Sequence, residues 1–309
     1  MNIWIKFLLV CILIILILLM LVSYYAYRKV LKISKRRDYF DEPYLEKRFI
    51  EGNMKKIKEY HEHNNYKEIN IKSIDNLNLY GRLIFSSKTK FVILVHGYHS
   101  ISNRLLEFAK FYDELGYSVL LVDLRGHGKS EGKHVGMAYK DSYDIECFIK
   151  YLKEQYGENI SIILHGFSMG AGTVMNVIRN NDPAIKFAVS DSGFYSMRKV
   201  MKYKIRHDYH FPATPIYEFA YLYYVIATGD RYHKMKPIDS VKKTNIPLLI
   251  IHGSADDFVT VKHAYKLNEV TNSYHELLII DGAGHTLSYR TDKIKYEAAL
   301  RKFIDKFIK

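Results

Sequence analysis

The chain has 309 residues and a formal net charge of +13, from 46 Lys and Arg against 33 Asp and Glu. A hydrophobic fraction of 48% with only six prolines excludes a disordered, collagen-like or low-complexity protein. The two cysteines, Cys11 and Cys147, are too few for a disulfide framework or a four-cysteine zinc site. The composition therefore predicts one or two folded domains with a large apolar core.

The first feature along the chain is an uncharged apolar stretch at residues 7–27, FLLVCILIILILLMLVSYYAY. As a helix it rises about 31 Å, close to the thickness of the hydrocarbon core of a bilayer. A cleaved signal peptide would have a shorter apolar region ending in a small-x-small site. A buried core helix would not be this apolar on every face. We therefore predict that residues 1–27 form a transmembrane anchor.

A cluster of positive charge follows the anchor without an acidic residue among it: Arg28, Lys29, Lys32, Lys35, Arg36 and Arg37. Only Lys6 and the terminal amine precede the apolar stretch. The positive-inside rule then predicts a single-pass protein of the cell membrane whose C-terminal domain faces the cytoplasm. The cluster also predicts an anionic lipid surface as a partner. We expect no nucleic-acid partner, because no aromatic-interleaved basic groove or helix-turn-helix pattern is present.

The next segment, residues 28–65, is basic and then mixed in charge, and we predict a juxtamembrane linker or a short helix there. From residue 66 the pattern changes. The runs YKEINIKSI and LNLYGRLIF alternate apolar and polar residues about a turn at Asp75 and Asn76. This alternation predicts a β-hairpin, which marks the start of a domain over residues 66–309.

Short continuous apolar runs follow the hairpin at residues 91–97, 118–126, 160–166, 185–191, 247–253 and 275–281. Such runs are typical of strands that are buried on both faces. Segments of helical period separate most of them. The pattern predicts an α/β fold, with a mainly parallel sheet flanked by helices and the antiparallel hairpin at one edge. In such sheets the functional site lies beyond the carboxyl ends of the strands.

One interval, at about residues 193–245, has no clear strand and is rich in tyrosine and phenylalanine. We interpret it as a helical lid insertion over the strand ends, because inserts at functional strand ends tend to be lids. The alternative is ordinary helix packing with surface tyrosines.

The strongest chemical signal is Gly166-Phe167-Ser168-Met169-Gly170, which lies between a predicted strand and a predicted helix. In this setting G-x-S-x-G is a nucleophile elbow, a sharp turn that projects the serine hydroxyl into the site. A glycine-rich turn with a capping serine is the alternative. The strand before it and the helix after it favour Ser168 as a catalytic nucleophile.

A serine nucleophile needs a general base and a third group that orients the base. His285 follows the last predicted strand in a glycine-containing loop, and Asp256 follows the preceding strand. Their order along the chain, Ser168, Asp256 and His285, suits a catalytic triad with each member at a strand end. The adjacent Asp257 is the alternative acid, and we favour Asp256.

Six motifs together resemble the α/β-hydrolase superfamily: VHGYHS, LVDLRGHGKSEG, LHGFSMGAGTVM, SDSGFYS, IHGSADDFV and GAGHTLSY. The resemblance is closest to bacterial membrane-anchored serine hydrolases similar to serine aminopeptidases and monoacylglycerol-lipase-like enzymes. It covers about four fifths of the chain, from residue 66 to the C-terminus. It implies the same triad, with the backbone amides of Tyr98 and Met169 as the oxyanion hole. We expect His96 to brace the oxyanion loop rather than to react.

Two further sequence features do not indicate a cofactor or metal site. The Gly128-Lys129-Ser130 sequence lacks the earlier glycine of a phosphate loop, because Asp123 stands at that position. The 14 histidines include no H-E-x-x-H motif. We therefore expect no cofactor and no metal.

The sequence thus predicts a membrane-anchored serine hydrolase of carboxylic esters, acting through an acyl-enzyme on a small amphiphilic ester such as an acylglycerol. Ester is favoured over peptide because the predicted lid is aromatic and basic and has few acids to hold a substrate amine, chiefly Asp208, Glu218 and Asp230. A serine peptidase of the same fold is one alternative. A non-catalytic membrane protein of this fold that binds a partner is the other.

Overall fold

The structure is a computed structural model that describes residues 2–32, 59, 60, 62 and 66–308. Most of the predicted linker, residues 33–58, 61 and 63–65, lies outside the described residues. The described part comprises a long N-terminal helix and one α/β domain.

The helices and strands have the following bounds. The helices are α1 (Ile3–Ala26), α2 (Leu106–Glu114), α3 (Lys140–Tyr156), α4 (Met169–Val177), α5 (Met197–Tyr209), α6 (Ala213–Thr228), α7 (Pro237–Val241), α8 (Lys262–Val270), α9 (Ser288–Thr291) and α10 (Lys293–Phe307). The strands are β1 (Lys67–Lys72), β2 (Asn78–Ile84), β3 (Lys90–Val95), β4 (Ser118–Val122), β5 (Ser161–Phe167), β6 (Ile185–Asp191), β7 (Leu248–Gly253) and β8 (His275–Ile280).

The eight strands form one sheet in the order β1-β2-β4-β3-β5-β6-β7-β8. The β1–β2 and β2–β4 pairs are antiparallel, and all pairs from β4–β3 to β7–β8 are parallel. The predicted fold class is therefore confirmed, with the hairpin at one edge. Its turn contains Asn76 at φ +66°, a left-handed conformation that asparagine tolerates.

Both faces of the sheet are covered by helices, which explains why the central strands are continuously apolar. Phe91, Ile93 and Val95 of β3 pack on the side of α3 and α4. Val92 and Leu94, between them, pack on the side of α2 and α10. Alternate side chains of one strand thus enter different cores, so each position excludes water and contributes burial free energy.

Helix α1 begins at Ile3, four residues earlier than the predicted stretch, and continues through a π-helical turn at Tyr27–Leu31. The extension is accounted for by Asn2, whose side chain caps the Trp4 amide at 3.3 Å. Among the described helices, α1 with this continuation is long and apolar enough to cross a membrane. Most of its side chains are exposed, whereas Tyr27 and Leu31 are buried against the α/β domain.

Between β6 and β7 the chain forms α5, α6 and α7, together with a 3-10 turn at Tyr232–Lys234, and it contains no strand. Helix α8 follows β7. Helix α8 was not predicted, because its apolar positions are sparse within a polar segment, KHAYKLNEV.

Candidate active site

The serine of the G-x-S-x-G motif lies at the junction of β5 and α4. Ser168 has φ +53° and ψ −110°, a left-handed φ that is uncommon for a residue other than glycine. The flanking glycines are required by close backbone approaches. A Cβ atom on Gly166 would lie 2.2 Å from the Gly170 carbonyl oxygen, and one on Gly170 would lie 2.1 Å from the Val95 carbonyl oxygen. The motif therefore forms a tight strand-to-helix turn that presents the Ser168 side chain.

The hydroxyl of Ser168 meets the imidazole of His285, which follows β8. Ser168 Oγ lies 2.8 Å from His285 Nε2. His285 Nδ1 lies 2.7 Å from Asp256 Oδ2. Because an ionised carboxylate only accepts, Nδ1 carries a proton and Nε2 accepts from the serine hydroxyl. The structure thus brings the three predicted residues into one hydrogen-bonded line.

The carboxylate of Asp256 is fixed on both oxygens. Its Oδ1 accepts the amides of Phe258 at 3.0 Å and Val259 at 2.8 Å, while Oδ2 faces His285. Burial alone would raise the pKa of Asp256, but hydrogen bonds from His252 and His285 hold that pKa well below its usual range. The adjacent Asp257 is exposed. Of the two candidate acids, the geometry favours Asp256.

A second histidine, His252 at the end of β7, contacts the same carboxylate. Its Nε2 lies 2.7 Å from the Val259 carbonyl oxygen and 3.2 Å from Asp256 Oδ2. The carbonyl requires a proton on Nε2, so His252 donates towards both acceptors from a fully buried position. No role was predicted for His252, although it stands in the same motif as Asp256.

The loop that carries His285 is tied to the end of β6. Ser192 accepts the Thr286 amide on its hydroxyl at 3.0 Å and hydrogen-bonds Asp191 at 2.9 Å. Ser192 also has φ +54°. These contacts hold the residue next to His285. Ser192 was not among the predicted site residues. The only sign of Ser192 in the sequence was the polar, glycine-containing segment that directly follows the buried strand β6.

The predicted oxyanion amides border the serine. Gly97 lies so close that a Cβ atom on it would be 3.2 Å from Ser168 Cβ, which places the loop after β3 against the nucleophile. Tyr98 follows in this loop, and Met169 is the first residue of α4. Neither amide has a hydrogen-bond acceptor among the residues that the structure describes. Both are therefore available as donors to an oxygen at the site.

His96 lies below this loop and is fully buried. Its Nε2 accepts the Leu124 amide at 3.0 Å, so its proton is on Nδ1, which donates to the Gly97 carbonyl oxygen at 2.7 Å. Burial lowers the pKa of His96 and keeps the ring neutral. These contacts suit the bracing role predicted for His96.

Helix α5 covers one side of the site. The Phe258 ring stacks on His285 with ring centres 4.8 Å apart, and the Lys204 ammonium lies 4.4 Å from the Phe258 ring centre. Tyr209 is the last residue of α5. Burial raises the pKa of the Tyr98 hydroxyl, and the Tyr209 phenol adds to the shift. Helix α5 thus contacts Phe258, the residue whose ring stacks on the imidazole of His285.

The Gly-Lys-Ser sequence belongs to a structural loop. Asp123 accepts the amides of Ser102 at 2.9 Å and Lys129 at 3.0 Å, and its carboxylate fills the space where Gly128 would carry a Cβ atom. In the described part of the chain, no group of three or more His, Cys, Asp or Glu side chains is arranged to hold a metal ion.

Comparisons with known proteins find similar sequences and similar structures. Residues 86–215 match a protein-family model described as serine aminopeptidase, S33. The chain is 26% identical over 215 residues to the uncharacterized protein YqkD of Bacillus subtilis, covering 69% of this chain and 70% of that protein. It is 25% identical over 237 residues to a monoglyceride lipase homolog of monkeypox virus, covering 66% and 84% respectively.

A similar solved structure is the Pyrococcus furiosus esterase Pf2001, with a TM-score of 0.66 and 26% identity over 82% of this chain and 94% of the esterase. The family match and the esterase likeness support a hydrolase in general terms. The sheet order, the elbow between β5 and α4 and these matches lead to one conclusion: the chain belongs to the α/β-hydrolase superfamily.

Proposed function

We propose that this chain is a membrane-anchored serine hydrolase that cleaves carboxylic esters. The observation that carries the proposal is the line from Ser168 Oγ through His285 to Asp256, with distances of 2.8 Å and 2.7 Å. A serine hydroxyl becomes nucleophilic when a base removes its proton during attack, and this line supplies the base and its partner.

The reaction proceeds in two halves. The oxygen of Ser168 attacks the acyl carbonyl carbon while its proton passes to His285 Nε2, and the Tyr98 and Met169 amides bind the developing oxyanion. Collapse breaks the ester bond, and His285 protonates the leaving alkoxide. Water then attacks the acyl-enzyme and gives a proton to His285, and the acid is released as His285 returns that proton to the Ser168 oxygen. Asp256 stays ionised and stabilises the imidazolium in both halves.

Ester cleavage is favoured over aminopeptidase activity by the charges of the helical segment between β6 and β7. An aminopeptidase needs a carboxylate free to hold the substrate amine. Asp208 pairs with Lys204 at 2.6 Å, Glu218 with Arg198 at 2.6 Å, and Asp230 with Lys140 at 3.3 Å. Because cations already pair with these carboxylates, the helical segment between β6 and β7 is suited to an acyl chain rather than to an ammonium group.

The serine peptidase alternative has support from the description of the matching family model. Parallel assays with a nitrophenyl ester and an aminoacyl nitroanilide of similar size decide between the two. Higher kcat/KM for the ester supports the proposal. A higher kcat/KM for the anilide would instead support the serine peptidase alternative, with the same triad acting on peptide substrates.

Labelling with a fluorophosphonate probe tests the catalytic assignment. The wild-type chain in detergent should form a covalent adduct, and Ser168→Ala should form none. Ser161→Ala is a matched control, because Ser161 lies at the other end of the same strand, β5. A folded wild-type chain that resists labelling would contradict the proposal and favour the non-catalytic, partner-binding alternative.

The proposal also includes a membrane location for the protein. The apolar length of α1 supports a single membrane span, and the exposed Arg28 and Lys29 directly after Tyr27 support a domain facing the cytoplasm, over an anionic lipid surface. Protease treatment of intact cells and of inverted membrane vesicles tests this orientation. Digestion of the domain only in inverted vesicles is expected, and digestion in intact cells would reverse the assignment.

A further inference from the structure

Helix α6, one of the helices between β6 and β7, packs directly on the C-terminal part of the apolar helix α1. The Tyr223 hydroxyl donates to the Met20 carbonyl oxygen at 3.5 Å. The Tyr223 ring meets the Tyr24 ring edge to face at 5.3 Å and the Tyr27 ring at 6.1 Å. Helix α6 therefore lies beside residues that the membrane proposal places at the end of the span.

The end of α1 is also fixed to the α/β domain. The Tyr27 hydroxyl hydrogen-bonds His134 Nε2 at 2.8 Å, and the Val135 amide donates to the Leu31 carbonyl oxygen at 3.1 Å. Because these contacts fix the end of α1 to the domain, the depth of α1 in a bilayer sets the depth of α6.

The outward side of α6 is apolar. Phe219, Leu222 and Ile226 recur at helical spacing, which places them on one side of the helix. Leu222 is 50% exposed and Ile226 is 73% exposed. The only charged residue of α6 is Glu218, whose carboxylate pairs with Arg198 and Lys202. This side therefore offers apolar side chains to its surroundings without an unpaired charge.

The position of this apolar side matches the boundary of a bilayer. From Met20 to Tyr27 the α1 helix rises about 10 Å, the depth to which interfacial helices bury their apolar side. Exposed cations follow both helices along the chain, Arg28 and Lys29 after the span and Arg231 after α6. Cations beside an apolar surface suit the headgroups and upper acyl chains of anionic lipids.

We propose that α6 is a membrane-docking helix, which inserts Leu222 and Ile226 into the headgroup boundary of an anionic lipid bilayer beside α1. The inference rests on the membrane location given under the proposed function. It places part of the helical segment between β6 and β7 in contact with lipid, so that an amphiphilic ester reaches the site from the membrane plane.

Tryptophan fluorescence of the full chain in vesicles of phosphatidylcholine and phosphatidylglycerol tests this proposal. Trp4 is the only tryptophan, so Trp4→Phe gives a silent background. Single reporters are then placed by Ile226→Trp on α6, Leu13→Trp on α1 and Ile294→Trp on α10. Ile294 is the matched control, an isoleucine that is 85% exposed on a helix remote from α1. The quencher is a phosphatidylcholine that carries a nitroxide high on its acyl chain.

The expected result is a blue-shifted emission that loses most of its intensity to the quencher at positions 226 and 13, with no loss at position 294. Quenching at position 13 but not at 226 would overturn the docking helix and leave the anchor in place. Equal quenching at 226 and 294 would also overturn it, because the whole domain would then contact lipid. No quenching at 13 or 226 would overturn the anchor as well. Loss of docking is thus distinguished from loss of the membrane location.

Discussion

The hydroxyl of Tyr98 donates a hydrogen bond to the carbonyl oxygen of Val30 at 2.8 Å. Tyr98 belongs to the loop after β3 that borders Ser168, and Val30 lies in the π-helical turn that continues α1. The end of the apolar helix therefore supports the loop whose amide is proposed to bind the oxyanion. This contact links the proposed anchor to the proposed chemistry.

Removing this link should slow the chemical step. We expect Tyr98→Phe to lower kcat about five-fold, because the lost hydrogen bond contributes ~1 kcal/mol. KM should change little, because this hydrogen bond positions the loop and does not bind the substrate. The measurement is steady-state hydrolysis of a soluble ester by the full chain in detergent.

The control for this variant is Tyr223→Phe, which removes a hydroxyl contact with α1 at Met20 but lies outside the β3 loop. We expect it to retain the wild-type kcat. A similar drop in both variants would indicate a general loosening of α1, and an unchanged kcat in Tyr98→Phe would show that the hydroxyl does not position the loop.

Much of the fold was predictable because its signals are local. Continuous apolar runs revealed the strands, and the glycines around Ser168 revealed the elbow. The packing of α6 on α1 was not predictable, because tyrosines such as Tyr223 give no sign of which partner they meet across some 200 residues. The choice between Asp256 and Asp257 likewise required the loop geometry, since both are aspartates directly after β7. His252 was missed because a buried histidine has the same sequence signal whether it braces a carboxylate or fills a core.

The adjacent aspartates provide a matched pair of variants. Asp256→Asn should lower kcat about 10⁴-fold, because an amide cannot hold His285 in the required tautomer or stabilise its charged form. Asp257→Asn changes an exposed carboxylate and should leave kcat within two-fold of wild type, by the small effects usual at surface sites. The reverse order of losses in ester hydrolysis would move the acid to Asp257.

The histidine beneath Asp256 is expected to act as a positioning residue. His252→Leu removes a hydrogen bond to a carboxylate, worth about 1.5–3 kcal/mol, so kcat should fall roughly ten- to a hundred-fold while KM changes little. His252→Gln retains a donor and should recover part of the loss. A kcat that is equally low in both variants, accompanied by a lower melting temperature, would point to a purely structural role.

The elbow should not tolerate a methyl group at Gly170. A Cβ atom there would lie 2.1 Å from the Val95 carbonyl oxygen and 2.6 Å from that of His96, so strand and helix would have to separate. Gly170→Ala should therefore lower the melting temperature and abolish fluorophosphonate labelling. Gly284→Ala is the comparison, because its nearest neighbour is the Leu287 side chain at 3.4 Å. Equal melting temperatures for the two variants would argue against the tight turn.

Stability should fall in acid partly through His165, which lies behind the elbow. Its Nδ1 is 3.1 Å from the Tyr112 hydroxyl and its Nε2 is 3.0 Å from the Tyr296 hydroxyl. Burial lowers the pKa of His165 to about 3, against about 6.5 in an unfolded chain. Between these values the unfolded state binds a proton that the folded state does not, so the free energy of unfolding falls as the pH falls.

The contribution of His165 is complete above pH ~6.5 and is lost at about 1.4 kcal/mol per pH unit as the pH falls towards 3. His165→Gln stays neutral and keeps a donor and an acceptor, so its melting temperature should depend less steeply on pH than that of the wild type. Tyr112→Phe is the control, because it removes a bond from the same ring but leaves the titrating group. That variant should melt lower at pH 7 and pH 5 alike, with the wild-type slope. A slope in His165→Gln as steep as that of the wild type would mean that the imidazole is already charged in the folded state.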